Sequence, residues 1–295
     1  VKLVALFFLK GQMMHYRVSV SGGAGSTLAA HICVKTRGAA NTTLVFADTN
    51  CEDPSLYASL HHMIQVALPN VEFVWLTNGG RNIWDVFHSE GFIKRGGGNC
   101  KASLELKRKP LDTFTRERWP DPSTVTIVTG LDLTEEDRIS RFNRVHLEKG
   151  YATWHPLAEQ QHFLTPCDQV NRVRELGYPE QVMYQHGYPH NNCGGGCVLA
   201  GVSQWVGLYR DFPERFRYHA EQEDIFFKKT GYCILRDRRG GTVKPLTLLE
   251  LEKRILADDL SGLQEFRSTC ACMTPDAEDL TPTSVSHTHA ARPEV

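Results

Sequence analysis

The chain has 295 residues, 41% of them hydrophobic, with 33 lysines and arginines against 34 acidic residues and a formal charge of −1. That length suits one large core, or a core with a smaller second unit; the hydrophobic share excludes a disordered protein, and the balanced charge gives no bulk electrostatic case for nucleic acid or an anionic membrane. Nine cysteines are too few for a disulfide scaffold and leave at least one unpaired, so with no secretory signal a reducing cytoplasm is expected, with thiols available for metal or redox work.

In chain order, the first stretch is apolar, Leu3-Val-Ala-Leu-Phe-Phe-Leu9, but far too short to span a bilayer, and Lys10 interrupts it with no small-residue cleavage site after it. The chain begins on Val1, and a true start at Met13 or Met14 would make residues 1–14 an extension. Residues 16–20 alternate and read as a strand, followed by the glycine turn Ser21-Gly-Gly-Ala-Gly-Ser26 and a helix over 27–34. Residues 43–47 read as a second strand ending at Asp48, and Pro54 opens a helix to about 67. A third strand over 71–76 and a short helix over 83–87 follow. Residues 104–119 read as helical, with Pro110 ending one helix and opening another. A fourth strand covers 124–128, and Thr134-Glu-Glu-Asp137 reads as a capping box into the next helix.

This alternation predicts an α/β fold: an open, mostly parallel sheet with helices on both faces, Rossmann-like, plus a helical C-terminal part. Residues 15–155 form the nucleotide-binding α/β unit and 156–273 the helical, cysteine-containing part, which packs on the sheet because no linker-like segment separates the two. Thr247-Leu-Leu-Glu250 caps a helix to about 257, and 274–295 read as an unfolded tail. Such sheets bind ligands beyond the carboxyl ends of their strands. Three polar clusters fall there: the turn 21–26, Asp48 with Asp53, and Gly130 with Glu136 and Arg138.

In the glycine turn, Gly22, Gly23 and Gly25 permit tight backbone geometry, the following helix N-terminus favours an anion, and Ser21 and Ser26 add hydroxyl donors. The turn lacks the Lys-Ser/Thr ending of a Walker loop and the Gly-x-Gly-x-x-Gly dinucleotide pattern, so a phosphate site and an empty tight turn both remain open. Cys193-Gly-Gly-Gly-Cys197 and Cys270-Ala-Cys272 are the sharpest cysteine clusters. Together they could hold zinc or an iron-sulfur cluster; a redox thiol pair, or plain packing with the glycines admitting a helix close to the sheet, are the alternatives. Cys33 reads as core. Lys94, Arg95, Lys101, Lys107, Arg108 and Lys109 surround Cys100, and Arg236, Arg238, Arg239 and Lys244 form a second basic group. Lys107 and the Arg238-Arg239-Gly-Gly turn are the oxyanion candidates.

The loop 21–26 resembles that of the adenine nucleotide alpha hydrolase superfamily, which includes N-type ATP pyrophosphatases and phosphoadenylyl-sulfate (PAPS) reductases. The resemblance continues in Phe46-Ala-Asp-Thr49-Asn-Cys-Glu-Asp53, in Asn99-Cys100 with Leu106-Lys107 and Lys109-Pro-Leu111, in Tyr188-Pro-His-Asn-Asn-Cys193 on to Gly201, and in Leu235-Arg-Asp-Arg-Arg-Gly-Gly241 with Lys244-Pro-Leu-Thr247. These later stretches are similar to a PAPS-reductase-like subgroup common in bacteria and phages. The resemblance implies ATP or PAPS as ligand, bound at Ser21, Gly22, Gly23, Gly25, Ser26, Asp48, Thr49, Gly130 and Arg238. It implies catalytic roles for Asp48, Lys107, Cys193 and Arg239, and Mg²⁺ with ATP. A [4Fe-4S] cluster or Zn²⁺ on Cys193, Cys197, Cys270 and Cys272 is the metal expectation. Pyrophosphatases of the superfamily usually carry Asp before the last Ser of the loop, where this chain has Gly25; Asp48 or Asp53 is the expected substitute carboxylate. The expected reaction is attack on the α phosphorus of ATP to adenylate an acceptor, a tRNA, DNA or small molecule, with a sulfur donor following. The alternatives are reduction of PAPS by a cysteine thiolate with an external thiol reductant, and a non-catalytic nucleotide or nucleic-acid-binding module.

Overall fold

The computed structural model of the chain describes residues 14–94 and 99–261. Five parallel strands, β1 (His15–Ser19), β2 (Thr42–Ala47), β3 (Glu72–Leu76), β4 (Val125–Val128) and β5 (Ala152–Trp154), form one sheet in the order β3-β2-β1-β4-β5. β5 is a strand that the sequence reading did not contain. Only three residues long and half exposed, it carries too little alternation to register.

Strand periodicity assigns the two faces. Val18, Leu44, Phe46 and Val128 point to one side, where they pack with Leu28 of α1 (Ala24–Arg37) and with Leu56 and Leu60 of α2 (Pro54–His62). Val45 and Ala47 point to the other, against Leu111 of α5 (Lys109–Arg118), and Ile127 meets Phe142 of α6 (Glu136–Glu148). Helices therefore cover both faces. The chain crosses to α3 (Ile83–Glu90) and to the short α4 (Lys101–Ser103), which continues through a π-helical turn, Leu104–Arg108, into α5. Pro110 sits in the first turn of α5, where its missing N–H costs nothing. The cap of the β4–α6 connection is two residues earlier than expected: Asp132, not Thr134, accepts from the Thr134 N–H (2.9 Å), and Glu135 completes the box. A carboxylate at Asp132 competes well with the Thr134 hydroxyl, which itself donates to Asp132.

The C-terminal part is helical: α7 (Pro166–Glu175), α8 (Val182–Gln185), α9 (Val202–Asp211), α10 (Pro213–Thr230) and α11 (Leu248–Leu256), with an antiparallel hairpin of β6 (Leu235–Asp237) and β7 (Lys244–Leu246). Thr247 caps α11 by accepting from the Glu250 N–H (3.2 Å). Val173 and Tyr178 join the sheet core beside α1 and α2. A second core gathers Trp205, Leu208, Phe216 and Phe226 with Trp84 and Phe87 of α3, so it is built from both sides of residue 155. Among the described residues, no helix is long and apolar enough to cross a membrane. Residues 1–13 and 262–295, which hold the apolar opening, the tail, Cys270 and Cys272, lie outside the described residues.

The second core is bolted by a buried hydrogen bond from the Trp84 indole N–H to His219 Nδ1 (2.9 Å). Burial pushes the His219 pKa down to about 4, with the Arg215 charge adding to the effect. A histidine with a lowered folded pKa binds fewer protons folded than unfolded, so its contribution is lost as pH falls through 6.5 toward 4. On this site alone, stability should drop by about 2 kcal/mol from pH 7 to pH 5. His219→Gln keeps an acceptor for Trp84 without titrating, and urea unfolding at the two pH values should show a correspondingly shallower loss.

Candidate nucleotide site

In the order 3-2-1-4-5, the connections leave β1 in opposite directions, and the crevice above β1 and β4 is the topological switch point where open parallel sheets take ligands. A cavity of about 400 Å³ lies there. Its floor is Ser19, Val20 and the loop after β1, its far wall Thr129 to Asp132 after β4, and Lys107, Arg138, Gln169, Tyr184, His190 and Asn192 close the rim.

The loop is braced from within. The Ser26 hydroxyl accepts from the Ser21 N–H (3.1 Å) and donates to the Gly23 carbonyl (3.0 Å). Gly23 is the N-cap of α1 and offers no side chain to it, and the first turn holds no acidic residue; the Ala24 N–H donates to the Tyr184 hydroxyl (3.3 Å), a neutral partner that leaves the positive helix end facing the cavity without a counter-charge of its own. Gly25 and Gly130 are pressed together. A Cβ on Gly130 would stand 2.5 Å from Ser26 N and Gly25 C, and one on Gly25 would stand 2.9 Å from Gly130 O. There is thus no room at position 25 for the aspartate found in pyrophosphatase loops. Gly22, by contrast, does not line the cavity; its φ of +78° and its approach to Leu56 make it a turn residue. Gly130→Ala should force the two loops apart, lowering stability by roughly 1–3 kcal/mol and weakening any anion binding; thermal unfolding with and without ligand reads both.

Lys107, expected as an oxyanion ligand, does reach the cavity. It comes from the π turn and is buried, with Nζ 2.9 Å from Glu52 Oε1. Glu52, also buried, further accepts from the Thr49 hydroxyl (2.9 Å) and the Cys193 N–H (2.5 Å). Sequence reading had passed over Glu52, because a carboxylate between two more obvious neighbours carries no signal until the three segments meet. Glu52→Gln breaks the buried Glu52–Lys107 ion pair and should cost about 3–5 kcal/mol in unfolding free energy, measurable by chemical denaturation.

Other expected residues are placed elsewhere. Asp48 does not line the cavity: its carboxylate accepts from the Tyr57 hydroxyl (2.7 Å), the Trp75 indole (3.1 Å) and the Asn50 N–H (2.8 Å), pinning β2 to α2 and β3. Asp53 caps α2 and pairs with Arg215 (2.8 Å); burial pushes its pKa up, but hydrogen bonds from Ser55 and Arg215 outweigh that and leave it lowered. The carboxylates that do line the cavity are Asp132 and Glu135, and Asp132 also accepts from Gln169 (2.7 Å). Arg138 reaches the cavity and pairs with Glu135, whereas Glu136 is exposed. Arg238 and Arg239 sit beyond β6, away from the lining, where Arg239 bonds Asp237 and Asp259. Lys101 pairs with Glu90 and Glu105, and Lys109 with Glu105, so much of the first basic group is internally neutralised.

None of the seven described cysteines is in a disulfide, and none lines the cavity. Cys193 has a left-handed backbone (φ 56°), and Cys197 is buried in the second core. A Cβ on Gly196 would lie 2.2 Å from His219 Nε2 and one on Gly195 2.6 Å from the Met183 methyl, so these glycines admit α10 and α8 at close range. Among the described residues, no three His, Cys, Asp or Glu side chains are grouped to hold a metal. Cys270 and Cys272 lie outside them, so Cys193 and Cys197 alone do not make a zinc or iron-sulfur donor set. Burial raises the thiol pKa of Cys33 and of Cys51 to about 11, Cys33 being core as expected, and it raises that of Cys100 also.

No protein-family model matches the chain, and no curated protein matches it. Among solved structures it is similar to a phosphoadenylyl-sulfate (PAPS) reductase from Candida auris in a phosphate complex, with 14% identity over 63% of this chain and 81% of that one and a TM-score of 0.40. At that level the likeness says nothing of the reaction, which has to be argued from the cavity.

Proposed function

We propose that the chain is a nucleotide-binding enzyme acting at the α phosphate of ATP. One observation carries this reading: an internally braced glycine loop leads into the N-terminus of α1, to which the N-cap Gly23 offers no side chain, and both open into a cavity at the switch point of a parallel sheet. That arrangement suits phosphate. Val20, Ala47, Leu111 and Leu131 supply apolar lining suited to a base or ribose. The choice of adenine rests on the resemblance of loop 21–26 to the adenine nucleotide alpha hydrolases.

The loop and helix end hold the phosphates. An acceptor oxygen attacks the α phosphorus while the bond to the leaving pyrophosphate breaks, giving an adenylated acceptor. Lys107, held in place by Glu52, and Arg138 offset the charge that grows on the leaving group. The lining carboxylates do not fit a magnesium ion as they stand, because Asp132 accepts from Thr134 and Gln169 with its two oxygens and Glu135 pairs with Arg138, so no step is assigned to a metal. Reduction of PAPS needs a thiolate at the cavity, and no described cysteine supplies one.

A product assay tests the reading. Incubation with ATP, Mg²⁺ and a pool of tRNA, DNA or small acceptors should give AMP or adenylated acceptor with pyrophosphate, and calorimetry should show ATP binding. Sulfite and adenosine 3′,5′-bisphosphate from PAPS and a thiol would replace it with the reductase, assigning the thiol to Cys270 or Cys272. Tight binding without turnover of either nucleotide would make the chain a binding module.

A further inference from the structure

Four histidines among the described residues are more than nine-tenths buried: His146, His155, His190 and His219. Three have a hydrogen-bond partner in the fold. His219 accepts from Trp84, His155 bonds Thr129 (2.7 Å) and Asn143 (2.7 Å), and His146 Nδ1 bonds the Phe142 carbonyl (2.9 Å). His190 is the exception. It lines the nucleotide cavity, and neither ring nitrogen has a hydrogen-bond partner of good geometry. Native proteins rarely leave a buried polar side chain in that condition, and beside a cavity a bound group that completes its hydrogen bonds is one explanation of it.

We propose that His190 holds a second oxyanion of the ligand, beyond the one at the glycine loop, by giving it an imidazole N–H beside Lys107 and Arg138. This rests on the nucleotide reading above and adds to it a ligand class: a nucleotide with oxyanionic groups at two separated points, such as ATP, in preference to a monophosphate. The charged groups facing the ring are Glu52 from the segment after β2, Lys107 from the π turn and Arg138 from α6. Burial pushes the imidazole pKa down to about 4; the Glu52 charge and the Asn192 backbone oppose the shift, and the Lys107 and Arg138 charges add to it. At neutral pH the ring therefore carries one N–H donor and one acceptor nitrogen. A neutral donor between two cations satisfies an oxyanion without a third full charge that an empty cavity would have to tolerate.

The test compares the wild type, His190→Leu and His190→Gln by calorimetry with ATP and with AMP, alongside thermal unfolding of each free protein. His190→Leu removes a buried polar group that the free fold engages only weakly, through the Asn192 backbone, so its Tm should be close to or above that of the wild type. It should bind ATP about tenfold or more weakly and AMP within about twofold, while His190→Gln, which retains an N–H donor, should recover most of the ATP affinity. Undiminished ATP binding by His190→Leu overturns the proposal and leaves the nucleotide reading standing. A lower Tm with equal losses for ATP and AMP assigns His190 to the fold and overturns it too. A wild type that binds neither nucleotide removes the nucleotide reading itself, and this inference with it.

Discussion

The Glu52 carboxylate is the tie on which the upper half of the molecule depends. Three segments far apart in sequence, the turn after β2, the π turn before α5 and the loop carrying Cys193, donate to its two oxygens. Such a group is tolerated in the interior only because it is satisfied from all sides. Its attraction for Lys107 fixes a cation at the cavity rim that would otherwise be a flexible side chain, and its bond to the Cys193 N–H supports the left-handed backbone there. One buried carboxylate thereby sets the position of the rim relative to the glycine loop.

The sheet and the helices around it were readable because they obey simple periods. β1 alternates, β2 and β4 are short runs rich in β-branched residues, and the helices begin at recognisable signals such as Pro54 and Thr247. The loop 21–26 was readable for the same reason: strand, glycines and helix in succession mean a turn with exposed N–H groups. Charge alone did not separate Lys107, which reaches the cavity, from Lys101 and Lys109, which the fold pairs with Glu90 and Glu105.

The rest of the site was not, and the reason is physical. Gln169, Tyr184 and His190 reach the cavity from α7, α8 and the loop that follows, so their role arises from tertiary packing that no local pattern encodes. Asp48 misled because an acid at a strand end looks like a ligand. Only the fold reveals Tyr57 and Trp75 waiting to consume its oxygens. Metal, redox and packing roles stayed open for Cys193 to Cys197 because the residues their glycines make room for, His219 and Met183, lie elsewhere in sequence.

The π turn at Leu104–Arg108 places one surplus residue in what would otherwise be a continuous helix through α4 and α5. Surplus residues of this kind gather at working sites. Each residue of a regular helix advances the side chains by about 100° around its axis. With α5 held on the sheet through Leu111, a chain lacking Arg108 would carry the lysine one helical position on, turned away from Glu52 and out of the cavity. The local frame of the helix, more than the presence of a lysine, makes Lys107 part of the site. Two sequences could therefore match residue for residue on either side of this stretch, differ by a single gap within it, and share a fold without sharing a binding site.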